Sequence, residues 1–353
     1  MTVYISGGSN SVSDSGWVGQ FRSLAGAENI ENISIGAAPS HMSLFRVSQT
    51  VDLKAGDTVL WEYGINDAAH IEGRGYDAAD LLEAIEGLII YCADVGAKLC
   101  GLIFQPRYWE KQAERQQYMV ALHSLFKRYG VAFFDVSQEF CAKKGHDHLP
   151  MPLYKNRAHY AKKPRFLQFI AKGAWKAVNA SNVPIVPEEE SDFGLRCYDQ
   201  FSAGKVARFE NKRVKVDAVS PPDEGTALQF DQSGRVLGLV IVSTPGGGAF
   251  NVSVGGRTYK ISATYRERKF TKTMVKFVSL PTLFGEVIEF EPGDEIRISW
   301  ADNARGMIAD HRFRKKVSAK ILAGREAAVV CVMTSERGKV GMVSELLLEA
   351  KAG

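Results

Sequence analysis

Up to about residue 180, short apolar runs alternate with amphipathic stretches. The runs Thr2–Ser6, Ile30–Ile35, Thr58–Tyr63, Lys98–Phe104 and Val131–Asp135 predict strands, several too continuously apolar to face water. Between them, Ser15–Leu24, His41–Gln49, Asp77–Asp94 and Trp109–Tyr129 carry helical spacing. Asp77 stands where it can cap the third of these helices, and Gly96 follows its end. A last helix is expected over roughly Lys163–Ala177. Buried strands alternating with helices predict an α/β fold, a parallel sheet covered on both faces in a three-layer α/β/α sandwich.

The pattern then changes. SNVPIVPEEES at 181–191 has the prolines and acidic run of a linker. Beyond it, Val214–Val219, Val236–Val242, Ala249–Val254, Thr258–Ala263, Met274–Ser279, Val287–Phe290, Glu295–Trp300 and Ala328–Thr334 are short strand-like runs. Turn signals such as PPDEG, TPGGG and EPGD separate them. That spacing predicts an antiparallel sandwich or jelly-roll-like unit. The expected organisation is therefore a catalytic α/β domain over 1–180, a linker over 181–191 and a β-rich accessory domain over 192–353.

Composition changes this picture little. Apolar residues make up 45% and charged residues 24% of 353 positions, ordinary values for a globular protein. No run is long enough to span a membrane. The N-terminus lacks the basic and apolar regions of a secretory signal, and five widely spaced cysteines suit buried thiols better than disulfides or a zinc site. A cytoplasmic location is expected. Charge divides unevenly: residues 1–190 hold 19 Lys+Arg against 21 Asp+Glu, and residues 191–353 hold 25 against 19. The basic runs Arg266–Lys272 and Arg312–Lys316 read as solvated strand faces or loops, because no nucleic-acid motif accompanies them.

Ligands of open parallel sheets gather at the carboxyl ends of the strands. There the chain places Gly7-Gly8-Ser9-Asn10-Ser11, Ser34-Ile35-Gly36-Ala37-Ala38 and Gly64-Ile65-Asn66-Asp67, and, before the closing helix, Asn156-Arg157-Ala158-His159-Tyr160. A hydroxyl, amide donors and an imidazole thus fall on one rim. In order and position these segments resemble the blocks of the SGNH (GDSL-like) serine hydrolases: GDS, then Gly, then GxND, then DxxH. The resemblance spans residues 1–177 and implies that family's flavodoxin-like sandwich and a serine esterase without a cofactor. It implies Ser9 as nucleophile, His159 as its base, and an oxyanion hole made by the Ser9 and Gly36 N–H groups with the Asn66 amide. Gly64 would allow the turn that presents Asn66, with Asp67 in support.

Two positions depart from the pattern. Gly8 stands where an acid is usual, and Asn156 replaces the carboxylate that orients the imidazole. A Ser9–His159 dyad is therefore expected, with Asn156 Oδ1 or a backbone carbonyl accepting from the ring; Asp147 or Asp67 are alternative carboxylates. Arg107, after the fourth strand, is a candidate contact for an anionic substrate. His146-Asp147-His148 reads as a solvated loop rather than a metal site. Three functions follow from the resemblance: hydrolysis of a short acyl ester, expected to be an acetyl group on a carbohydrate; O-acyl transfer to a glycan; or a catalytically silent domain that binds a glycan or partner. Oligomeric state stays open.

Overall fold

A computed structural model of the chain describes residues 1–110, 117–188, 194–211, 213–264, 273–303, 305–309, 324–336 and 341–352. They form two compact units, Met1–Asp192 with Val340–Gly353, and Phe193–Lys339. Both basic runs of the second half, Arg266–Lys272 and Arg312–Lys316, lie outside the described residues.

The first unit is built on five parallel strands: β1 (Val3–Gly7), β2 (Ile30–Asn32), β3 (Thr58–Glu62), β4 (Lys98–Ile103) and β5 (Ala132–Asp135), in the order β2-β1-β3-β4-β5. Every residue of β1 and β3 is buried, as their continuous apolar runs require. One sheet face supplies Val3, Ile5, Leu60, Cys100 and Leu102 to a core with Trp17, Val18 and Phe21 of α1 (Trp17–Ala25) and Phe166 and Ile170 of α7 (Pro164–Asn179). The opposite face is covered by α2 (His41–Gln49), α4 (Ala78–Val95) and α5 (Gln117–Arg128), where Trp61 meets Phe126 edge-on. The sandwich has the three layers that the periodicity predicts. Asp77 caps α4 through Ala79 N, and Gly96 ends it with φ +73°.

Two helices of this unit are not anticipated by the sequence reading: α3 (Gly64–Arg74), whose buried face is partly polar, and α6 (Val136–Lys144), which has almost no amphipathic pattern. The predicted Trp109–Tyr129 helix is shorter at its start, because Trp109 and Glu110 are held in a turn. Trp109 donates to Glu72, and the buried Glu110 carboxylate accepts from Ser137, the Leu149 N–H and Tyr154. Residues 111–116 lie outside the described set. The first part of the linker is bound to this unit, with Asn182 bridging Leu99 and Ile185 N–H donating to Tyr129 O.

The second unit is a pair of antiparallel sheets. One contains β13 (Met274–Ser279), β10 (Gly234–Ser243), β16 (Ala328–Ser335), β8 (Lys215–Ser220) and β7 (Lys205–Glu210), with β14 (Glu289–Phe290) and β6 (Leu195–Tyr198) on its margins. The other runs β12 (Arg257–Ser262), β11 (Ala249–Val254), β15 (Glu295–Trp300) and β9 (Thr226–Gln229). Leu239, Ile241 and Val329 face Phe250, Val252 and Ile298 in the core between them. β7 has no buried residue, which is why no alternation announces it.

The last helix, Gly341–Ala352, does not extend the β-rich half. It packs on α5 and α4 of the first unit, burying Val343 and Leu346.

Candidate active site

In the strand order 2-1-3-4-5, connections leave β1 and β3 in opposite directions. The crevice above them is the switch point where α/β sheets bind ligands. The loops after β1 and β2 carry Ser9 and Gly36, and the first turn of α3, which follows β3 directly, carries Asn66, so three of the predicted groups converge there for a topological reason.

Ser9 Oγ lies 2.8 Å from His159 Nε2. On the far side of the ring, Nδ1 lies 3.0 Å from Asn156 Oδ1. That oxygen also accepts the N–H groups of Ala158 at 3.0 Å and His159 at 2.9 Å. Backbone N–H groups only donate, so the atom facing them must be the amide oxygen rather than its nitrogen. Nδ1 therefore carries the ring proton, and Nε2 presents a lone pair to the Ser9 hydroxyl. Half-burial, and secondarily the nearby Lys155 ammonium, hold the His159 pKa below the ordinary 6.5. The imidazole is thus neutral at pH 7, as a base must be.

The nucleophile turn is fixed by its neighbours. Gly8 N–H donates to Glu62 O at 2.8 Å, Ser11 N–H to Gly8 O at 3.0 Å, and Gly7 N–H to Ser34 Oγ at 3.1 Å. A methyl group built at Gly36 would lie 3.4 Å from Ser9 Cβ; one built at Gly8 would lie 2.1 Å from Asn66 Oδ1. Gly36 and Asn66 therefore flank the Ser9 backbone. Gly8 is accounted for: the Asn66 amide fills the space a larger residue would need. Asn66 Nδ2 donates to Ala38 O at 2.8 Å, which fixes the amide beside the Ser9 turn.

Gly64 serves differently from the expectation. It opens α3 without a positive φ, and a side chain there would approach Phe104 O to 2.9 Å. Close approach to β4, not turn geometry, requires the glycine. Asp67 is fully buried and accepts from Ser40 N–H at 2.9 Å, Ser40 Oγ and Tyr118 Oη. It ties the Gly36 loop to the helix bearing Asn66, and these partners hold it away from His159. Asp147 lies in the exposed loop beyond α6, so neither alternative carboxylate orients the ring. Arg107 meets the His159 loop through its backbone, its N–H donating to Arg157 O at 3.1 Å. Its side chain is not among those lining the cavity beside Ser9. His146 stacks on Phe140, and among the described residues no group of three or more His, Cys, Asp or Glu is placed to share a metal ion.

Asn10 was not legible as a site residue. Its Nδ2 donates to Ala158 O at 3.1 Å and its Oδ1 accepts Tyr160 N–H at 3.2 Å. The side chain thereby bonds the backbone on both sides of His159 and clamps the base onto the nucleophile's own turn. GSNS offers an asparagine next to the serine, but only the folded loop supplies its partners. Beside Ser9 and His159 opens a cavity of about 260 Å³, lined by residues including Trp17, Phe104, Lys155 and Lys162.

No protein-family model and no curated protein matches the sequence significantly. Among solved structures, a two-domain esterase active on acetylated mannans aligns with 96% of this chain and 92% of its own, at 10% identity and a TM-score of 0.58. An acetyl xylan esterase aligns over 50% of this chain and 100% of its own, at 18% identity and a TM-score of 0.43. Another, from Geobacillus stearothermophilus, aligns over 53% and 97%, at 16% identity and 0.39. The first of these shows that the two-unit fold is shared.

Proposed function

We propose that this chain, which has the two-unit fold of an esterase active on acetylated mannans, is an SGNH-type serine esterase that removes short acyl groups, acetyl foremost, from carbohydrates. The observation that carries the reading is the relay Ser9 Oγ–His159 Nε2 with Nδ1 held on Asn156 Oδ1.

Ser9 Oγ attacks the ester carbonyl carbon while its proton passes to Nε2. The imidazolium so formed is steadied through Nδ1–H by the Asn156 carbonyl. Charge on the carbonyl oxygen is met by the Ser9 and Gly36 N–H groups and the free Asn66 Nδ2 hydrogen. As the tetrahedral species collapses, Nε2–H protonates the departing sugar oxygen, leaving acyl-Ser9. Water, deprotonated by the same nitrogen, then releases the carboxylic acid and restores the hydroxyl.

A fluorophosphonate probe and p-nitrophenyl acetate test this directly. The wild-type chain is expected to be labelled and to turn over, and Ser9→Ala to do neither. Equal labelling of both, or undiminished turnover by Ser9→Ala, overturns the assignment.

A further inference from the structure

The segment that carries His159 is unusual in charge. No Asp or Glu occurs from position 148 to 187, whereas Lys155, Arg157, Lys162, Lys163 and Arg165 cluster about the base. All five are exposed. The first 190 residues as a whole carry slightly more acids than bases, so this is a local concentration and not a property of the unit. Lys155 and Lys162 line the cavity beside Ser9, and no carboxylate lines it. Lys162 Nζ meets the Ser15 hydroxyl, and the Arg157 guanidinium lies over the Tyr108 ring, 4.9 Å from its centroid. Among the described residues none of Lys155, Arg157 and Lys162 is paired with a carboxylate. The nearest acid in sequence on the nucleophile side, Asp14, is turned to Arg22 at 3.5 Å. Lys155 is near enough to depress the imidazole, so a charge on bound substrate at the same range is felt by it in turn.

Resting on the esterase reading above, we propose that the substrate is an anionic one: an acylated saccharide with a carboxylate, sulfate or phosphate beside the ester, received by Lys155 and Lys162. A neutral sugar would leave two cations desolvated against it with no return. An acidic one neutralises them, and the cationic rim raises its encounter rate with Ser9.

The experiment compares kcat/KM on acetylated oligogalacturonate, an acetylated sulfated oligosaccharide and an acetylated neutral manno-oligosaccharide. Salt is varied between about 0.01 M and about 0.15 M, over which the Debye length falls from roughly 30 Å to roughly 8 Å. At low salt, at least one acidic substrate is expected to exceed the neutral one by about tenfold or more, with the margin narrowing as salt rises. Which acidic arm leads identifies the anion. Lys155→Gln and Lys162→Gln are each expected to lower the acidic-to-neutral ratio about threefold. Lys172→Gln, exposed on α7 outside the cavity, is expected to leave that ratio unchanged. Equal rates on acidic and neutral substrates, a salt-independent ratio, or an equal fall in Lys172→Gln overturns the proposal. If no ester is turned over, the esterase reading fails by itself. Titration with deacetylated oligogalacturonate and its sulfated counterpart then decides the cationic site: binding weakened by salt and by Lys155→Gln sustains it, and binding of neither overturns it.

Discussion

Asn156 puts an uncharged acceptor on His159 Nδ1, the place that a carboxylate holds in a Ser-His-Asp triad. In serine proteases the same replacement costs about 10⁴ in kcat because the imidazole takes the wrong tautomer. Here two backbone donors oblige the amide to turn its oxygen toward the ring, so the productive tautomer survives and only the charge is missing. Asn156→Asp is accordingly expected to raise kcat by about fivefold to thirtyfold, the difference between a neutral and a charge-assisted hydrogen bond. It is also expected to move the acid limb of the pH–rate profile upward. In the wild-type chain that limb is expected to lie lower than an ordinary histidine would set it, since burial and Lys155 both favour the neutral ring. A profile unchanged by the substitution would mean that the ring is not held by residue 156. Asn10→Ala removes two bonds to the His159 loop, worth about 0.5–1.5 kcal/mol each. Steady-state kinetics are expected to show a lower kcat with a smaller change in KM, because the base is displaced rather than the substrate. Ser9, His159 and Asn156 were legible because their chemistry is written in residue type and order. Asn10 was not, since its role depends on the carbonyl of Ala158 and the N–H of Tyr160, which any residues there would provide.

Among elements, the proposed oxyanion site depends on the fit of the β2 loop to α3. Asp67 bonds the loop at Ser40 and Asn66 bonds it at Ala38, while Ala37 adopts φ +60°, uncommon for a residue with a side chain. Gly8 leaves Asn66 its place between them. Gly8→Ala forces the Asn66 amide aside and is expected to lower kcat up to about a hundredfold, the scale of losing one oxyanion donor. A variant as active as the wild type would show that the Asn66 amide is not needed for the reaction. The strands were readable where both faces are buried, and the helices where one face is. The exposed β7 carries no apolar period to read, and the buried face of α3 mixes Ile65 and Ala68 with Asn66, Asp67 and His70. Trp109 and Glu110 left the expected helix because distant side chains, Glu72, Ser137 and Tyr154, claim them.

For the whole molecule, two buried acids set the response to alkali. Burial raises Glu62 to about 8 and Asp67 to about 7, above their unfolded values. Between the unfolded and folded pKa the native chain holds protons that the unfolded chain has released, so stability is full in mild acid and falls as pH rises toward 8. At about 1.4 kcal/mol per unit, the loss at Glu62 is of the order of a few kcal/mol. Thermal unfolding is expected to show a Tm that declines from pH 5 to beyond pH 8, and a shallower decline in Glu62→Gln. Parallel curves for the two chains would place the alkaline sensitivity elsewhere.

The return of the last helix to the first unit also bears on how the protein is made. A ribosome finishes residues 1–192 and then the whole of the second unit before the helix that covers α4 and α5 emerges. Throughout that interval the nascent first unit has apolar surface with nothing on it, the condition that recruits chaperones and invites aggregation. Premature termination anywhere in the second unit has the same result permanently. A chain stopped after residue 336 is therefore expected to be less soluble on expression and to melt lower than the full chain, although Ser9, Asn156 and His159 have all been translated.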